Sequence, residues 1–275
     1  MKRCSYFLSV LLLLFSVTSE AHATEGKSGS DYNVSIVIDD FGGGGEGTSE
    51  LLDFDVPLTI AIMPFLSTSQ EDAQKAQTAG HEVMIHMPMA ASYGKASWLG
   101  PGGITPSMEP DEVRSVVKDA IEHLPEATGI NNHMGSAVVT KEELMRPFLE
   151  EVQAAGLYVL DSATHGDSVI PEICRELGVP FASRDVFLDD TNSNRHFVEQ
   201  QLQQLFSLGK EQQYAIGIGH VGVRGKETVA ALSQVLTDKD KRKHIAPASA
   251  IILKEPTNNP DNFWQYQYPL NHLRD

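Results

Sequence analysis

The sequence predicts an α/β protein, a single-domain parallel (β/α) barrel that is irregular or incomplete. Three observations carry that expectation. Short β-rich runs alternate with helical patterns about eight times in one domain-sized chain. Unusual polar residues collect at the C-terminal ends of those runs, the rim where parallel barrels carry their chemistry. The first glycine-rich loop, Gly42 to Gly45, lacks G-x-G-x-x-G spacing and follows two aspartates. An open dinucleotide-binding sheet would keep that phosphate approach uncharged.

Domain limits follow from composition. The chain has 275 residues. Lys2 and Arg3 precede an apolar stretch over 6–17, and Ala21-His22-Ala23 fits a small-x-small cleavage site. Residues 1–23 therefore read as a secretory signal peptide. Its apolar core is short for a membrane span, which needs about 20 residues, so no membrane insertion is expected after cleavage. The expected location is periplasmic or secreted. Cys4 leaves with the signal, and Cys174 alone cannot form an internal disulfide. Residues 24–32 are a flexible polar lead-in, 33–256 the barrel, and 257–275 a C-terminal tail. Without residues 1–23 the formal balance is 19 basic against 36 acidic residues, a net −17. That surface disfavours nucleic acid and anionic lipid as partners.

The elements follow in order. Strands are predicted at 34–38, 58–63, 82–86, 129–132, 157–160, 180–183, 214–219 and 249–253. Helices are predicted between them. The first, 68–79, ends at Gly80. The next, 109–124, has Pro110 just inside its start and Val113, Val116, Val117 and Ala120 at helical spacing. Thr140-Lys141-Glu142-Glu143 reads as a capping box for a helix closed by Gly156. Three more are expected at 168–177, 194–208 and 226–236, the second ended by Gly209.

On that map Asp39 and Asp40 end the first strand, and His86 the third. His133 follows the fourth, Asp161 ends the fifth, Arg184 and Asp185 the sixth, and His220 the seventh. Strand alternation points Asp39 and Asp40 in opposite directions, so one suits a cation and the other a proton. A lone histidine at a strand end is more often structural than a ligand. Asp161-Ser162 equally fits a helix cap, and Arg184-Asp185 a surface ion pair. The joint pattern shifts the balance. One carboxylate and two imidazoles on one rim form a borderline N/O site suited to zinc, with positions left for water and substrate. His81 begins its strand at the opposite face and reads as structural.

Five segments carry a resemblance to a known family. They are Ile36-Val37-Ile38-Asp39-Asp40-Phe41-Gly42, Gly80-His81-Glu82-Val83-Met84-Ile85-His86-Met87-Pro88-Met89, Asn131-Asn132-His133-Met134-Gly135-Ser136, Ser183-Arg184-Asp185-Val186-Phe187-Leu188-Asp189 and Ile216-Gly217-Ile218-Gly219-His220. As a set they resemble the divergent polysaccharide deacetylase family, relatives of the carbohydrate esterase family 4 deacetylases. The likeness runs from Asn33 to Glu255. It implies an irregular barrel of seven to eight parallel strands with a metal-dependent rim. It makes Asp39 the general base, Asp40 a metal ligand, His86 the first histidine ligand and His220 the general acid. The relatives draw both histidines from one H-[ST]-x-x-H motif, but position 90 here is Ala90. His133 is the replacement. Their R-x-x-P-Y motif is not kept, since Asp185, Val186 and Phe187 follow Arg184.

The resemblance implies an exported enzyme removing acetyl groups from an N-acetylated, or O-acetylated, envelope glycan. Asp185 is the expected partner of His220, and Arg184 the expected partner of Asp39, with Asp161 nearby. Backbone N–H groups of the glycine loop or of Met89-Ala90-Ala91 are expected oxyanion donors. Trp98, in the long segment 90–106, is either an ordinary packed loop residue or a sugar-stacking aromatic. Two other readings stand beside the deacetylase. One is a non-catalytic barrel that binds glycan or an envelope protein. The other is a metal hydrolase acting on a phosphoester or cyclic amide.

Overall fold

The computed structural model describes residues 32–254. The expected signal peptide, nearly all of the expected lead-in and the C-terminal tail lie outside the described residues. Eight parallel strands form one curled sheet in the order β6-β5-β4-β3-β2-β1-β8-β7. They are β1 (Asn33–Phe41), β2 (Thr59–Ile62), β3 (Glu82–Met89), β4 (Gly129–Met134), β5 (Tyr158–Asp161), β6 (Phe181–Ser183), β7 (Val186–Phe187) and β8 (Tyr214–His220). The helices are α1 (Thr48–Leu52), α2 (Ser69–Ala79), α3 (Pro110–His123), α4 (Glu142–Ala154), α5 (Ile170–Leu177), α6 (Arg195–Gln212), α7 (Gly225–Val235), α8 (Lys239–Arg242) and α9 (Ala248–Ile252). No described helix is long and apolar enough to cross a membrane.

Strand alternation sorts the core into two layers. Ile36, Ile38, Ile60, Ile62, Ile85 and Val159 pack outward among the helices. Val37, Ala61, Met84, Tyr158, Leu160, Ala182, Ile216 and Ile218 pack together inside the curl. Both layers are buried, which explains why the strands read as continuous apolar runs rather than alternating ones. Each fully buried aliphatic side chain contributes about 1.5–3 kcal/mol.

The last predicted strand is a helix. Pro247 is its N-cap, and Ala248, Ile251 and Ile252 insert among the inward residues as a plug at the N-terminal mouth. A five-residue apolar run has no period long enough to separate strand from helix. Glu82 holds the plug, its carboxylate accepting from Ser249 N at 3.3 Å and Thr59 Oγ1 at 2.9 Å. Two smaller boundaries also move. Gly209 does not end α6 but lies within it, where a Cβ would stand 2.9 Å from Val34 Cγ2. It is glycine for close packing rather than for a stop. Tyr32, expected in the lead-in, is buried and stacks on His244 at 3.6 Å.

The eighth strand is instead β7, two residues long and too short to show a period. Between β6 and β7, at opposite ends of the sheet order, lie only Arg184 and Asp185. Arg184 N donates to Asp161 O at 3.0 Å, and Asp185 N to Ile216 O at 2.9 Å. The two ends of the sheet order are thus joined by the chain itself at this seam, with no ladder between β6 and β7.

Candidate metal centre

Inward positions carry the site. Along β1 the inward series runs Val37, then Asp39. Along β3 it runs Met84, then His86, and along β4 Gly129, Asn131, His133. Along β8 it runs Ile216, Ile218, His220. Register completes the placement, pairing Asp39 with His220, His86 with Asn131, and Pro88 with His133.

Asp40 breaks the alternation. By parity it should point outward, away from Asp39. The β1–β2 register shifts between Ile38 and Phe41, and Asp40 has a φ of 70°. This bulge with a left-handed residue turns the Asp40 carboxylate back toward His86. A non-glycine residue in that region costs about 1–3 kcal/mol, and such strain clusters at functional sites. The expectation of opposite directions is therefore corrected: both carboxylates flank one imidazole. His86 Nδ1 lies 3.6 Å from Asp39 Oδ2, and His86 Nε2 lies 3.2 Å from Asp40 Oδ1. Gly42, two residues on, secures the turn. Its N–H donates to Asp72 Oδ2 at 3.0 Å, and its carbonyl accepts from Thr68 N at 2.8 Å.

Three ligand atoms converge on one point. Asp40 Oδ1 lies 2.9 Å from His133 Nδ1 and 3.2 Å from His86 Nε2, and the two nitrogens are 3.1 Å apart. A tetrahedral ion with bonds of about 2.0–2.1 Å spaces its ligands by about 3.3 Å. The outer ring nitrogens set the tautomers. His133 Nε2 donates to the Trp98 carbonyl at 3.0 Å, leaving the Nδ1 lone pair free to point inward. His86 Nδ1 donates to Asn131 Oδ1 at 2.7 Å, and Asn131 Nδ2 donates to Asp39 Oδ1 at 2.9 Å. Asp40 Oδ1 is buried yet makes no directed hydrogen bond, despite its close neighbours. One acidic oxygen and two imidazole lone pairs thus face a common centre that a divalent cation fits.

Electrostatics agrees. Burial opposes charge on His86, but Asp39 and Asp40 outweigh it and raise its pKa. Burial likewise opposes charge on Asp40, whose carboxyl is nevertheless held well below the usual range by His133 and His86. Burial raises Asp39, against the opposing pull of His86, His220 and the Asn131 amide.

His220 belongs to a separate hydrogen-bonded set. Its Nδ1 donates to Asp189 Oδ1 at 2.7 Å, and its backbone N–H donates to Asp189 Oδ2 at 3.1 Å. Thr228 Oγ1, buried on α7, donates to the same Oδ2. Gly219 admits this approach, since a Cβ there would stand 3.2 Å from Asp189 Oδ2. Burial disfavours the charged ring, but the Asp189 hydrogen bond and the fields of Asp40 and Asp39 raise its pKa to about 9.

Several expected partners lie elsewhere. Asp189, not Asp185, meets His220; the Asp185 carboxylate accepts from Ile216 N at 2.8 Å at the seam. The Asn131 amide, not Arg184, meets Asp39. Arg184 donates from Nε to Ser162 O at 2.9 Å and lies 4.7 Å from the Phe187 ring centroid. Asp161 has outward parity, next after inward Leu160, and accepts from Ala163 N at 2.9 Å within its own loop. Two expected oxyanion donors are engaged, Gly42 N with Asp72 and Ala90 N with Ile104 O at 2.9 Å. His81 is buried and structural as expected, Nδ1 accepting from Leu58 N at 3.3 Å.

Residues 36–252 match the profile of the divergent polysaccharide deacetylase family. The chain is 32% identical over 244 residues to the uncharacterized protein YibQ of Escherichia coli K12, covering 88% of this chain and 74% of that protein. An uncharacterized protein of Haemophilus influenzae Rd is 33% identical over 187 residues, 68% of this chain and 66% of that one. Among solved structures, an uncharacterized protein of Agrobacterium tumefaciens C58 superposes with a TM-score of 0.74 at 19% identity, covering 82% of this chain and 92% of that one. The catalytic domain of a peptidoglycan N-acetylglucosamine deacetylase from Eubacterium rectale superposes at 0.51 with 18% identity, covering 83% and 94%. At these identities the two likenesses show the fold.

Proposed function

The chain belongs to the divergent polysaccharide deacetylase family, and from that premise we propose that it is an exported, metal-dependent hydrolase of acetylated envelope glycans. The acetyl group sits on nitrogen, or alternatively on oxygen, of a polysaccharide or oligosaccharide. Export rests on the sequence of residues 1–23. The observation that carries the proposal is the convergence of Asp40, His86 and His133 beside a buried carboxylate.

Those three side chains would hold a divalent ion, zinc by the donor set, which when bound supplies an acidic water and polarises an acyl oxygen. The remaining roles fall to the chain's own residues. Asp39, held by the Asn131 amide, accepts the proton from the attacking water. Its burial raises its basicity, which suits a general base. His220 carries a proton at neutral pH and delivers it from Nε2 to the leaving amine. Asp189 keeps Nδ1–H occupied, so the ring has one proton to give and one orientation.

Metal analysis together with acetate release from a panel of acetylated sugars, amides and phosphoesters tests this reading. The expected result is one tightly held divalent ion, lost in His133→Ala, and acetate released from acetylated glycan. Metal retained by His133→Ala would show that the ligand set is wrong.

A further inference from the structure

The segment between β3 and α3 is joined to the site at an unexpected place. Its ends are closed: Ala90 N donates to Ile104 O and Ile104 N to Pro88 O, both at 2.9 Å. Ser92 N donates to Ser136 Oγ at 2.9 Å, and Ala137 N to Ala90 O at 3.1 Å, tying the base to the residues after β4. Left-handed Gly94, Gly100 and Gly102 fold the rest into a compact surface loop. Its tip is open to solvent, with Tyr93 92% and Trp98 56% exposed. Single exposed aromatics are ordinary. What distinguishes Trp98 is that its carbonyl accepts from Nε2 of His133, one of the three candidate ligands.

We propose that this strap, residues 90–104, is a sugar-binding subsite beside the metal centre, and that sugar and metal binding strengthen each other through the Trp98–His133 hydrogen bond. The ligand class rests on the deacetylase reading. The apolar face of a pyranose stacks on the indole ring, as sugar faces do on exposed aromatics. Lys95, with Nζ 5.7 Å from the ring centroid, adds a donor for hydroxyl groups. The strap is tied at its base and again at the Trp98 carbonyl, and its exposed tip loses freedom when a sugar seats on it. That ordering holds the Trp98 carbonyl against His133 Nε2–H and keeps the Nδ1 lone pair on the ion. Linkage requires the reverse effect, so a bound ion that fixes His133 also orders the strap.

The experiment uses the whole chain, zinc and an N-acetylglucosamine tetramer. Zinc affinity is measured by competition with a chromophoric chelator, with and without tetramer. Tetramer affinity is measured by calorimetry, with and without zinc, and both titrations are run in Asp39→Asn, the parent for this test, to prevent turnover. Each ligand is expected to tighten the other by the same factor, about fivefold or more. Trp98→Ala keeps the backbone carbonyl but removes the ring. It should weaken the tetramer about tenfold and bring the coupling factor to about one, with zinc affinity alone retained. Replacing residues 92–99 by two glycines removes the carbonyl and should weaken zinc about 10–100-fold. A coupling factor of one in the parent, or unchanged tetramer binding in Trp98→Ala, overturns the proposal. No tetramer binding in any form overturns it too, while leaving the zinc centre standing. If the parent binds no zinc, the deacetylase reading and the coupling both fail, and Trp98 dependence of tetramer binding then decides the subsite by itself.

Discussion

The two sides of the rim solve different problems with the same residue types. On the β3–β4 side, His86 and His133 give their outer N–H groups to Asn131 and Trp98 and turn lone pairs on Asp40. Acceptors facing acceptors are incomplete without a cation. On the β8 side, His220 faces Asp189 donor to acceptor, backed by Thr228 and its own backbone N–H. That pair is complete as it stands and stores a proton. Asp39 lies between, next to β8 by register and held by an amide from β4. A histidine's role here is set by what its second nitrogen touches, not by where it stands on the strand.

The contrast can be tested by removing one side at a time. His133→Ala should have the largest effect, taking both metal content and acetate release to background; metal analysis and turnover are read on one preparation. Asp39→Asn should separate the two sides, losing roughly 10²–10⁴-fold in rate while keeping the ion. Loss of metal in that variant would place Asp39 among the ligands. Asp189→Asn should act on pH dependence. His220 must be protonated to act, so activity should fall as pH rises through about 9. Without the Asp189 charge that alkaline limb should move down toward the ordinary histidine value of about 6.5. A limb that stays in place would assign it to another group.

The smallest effect is expected at Asp185, whose site lies at the seam. Burial there outweighs the Ile216 N–H and Arg184, raising its pKa to about 6. A carboxyl raised above its unfolded value binds protons more readily in the folded state. Stability from this group is therefore present in acid and lost as pH rises from about 4 to 6. Asp185→Asn keeps an acceptor for Ile216 N and should remove that fall. The expected gain is on the order of 1 kcal/mol at pH 7, read by urea denaturation at two pH values. A rate loss comparable to that of Asp39→Asn would return Asp185 to the catalytic set.

Much of this is legible in the sequence. Strand-end position located Asp39, Asp40, His86, His133 and His220, because parallel strands deliver their C-terminal ends to one rim. Position alone admitted Asp161 as well, but it follows inward Leu160 without a bulge of the Asp40 kind and takes the Ala163 N–H of its own loop. The Asp40 bulge was hidden, since alternation is the default and a register shift is a tertiary event. An aspartate directly before Phe41-Gly42 was its trace, aspartate being one of the few residues that tolerates a left-handed backbone. Asp189 was hidden for another reason. It follows a two-residue strand that no window detects, and its link to His220 spans 31 positions. Asn131 stood in the motif that identified His133, but an amide gives no sign in sequence that it will bridge a carboxylate and an imidazole. The final run, 249–253, failed on length, where a plug helix and a strand look alike.

The two-residue junction at Arg184–Asp185 bears on how copies of this protein meet one another. A sheet left open along one side normally presents two rows of unused backbone donors and acceptors, an invitation to sheet-to-sheet growth. Here the outermost strands are three and two residues long, and the turn that links them spends its own two N–H groups on Asp161 O and Ile216 O of the adjoining strands. A neighbouring chain finds almost no template to extend. Two short outermost strands thereby blunt the edges that an unclosed barrel leaves.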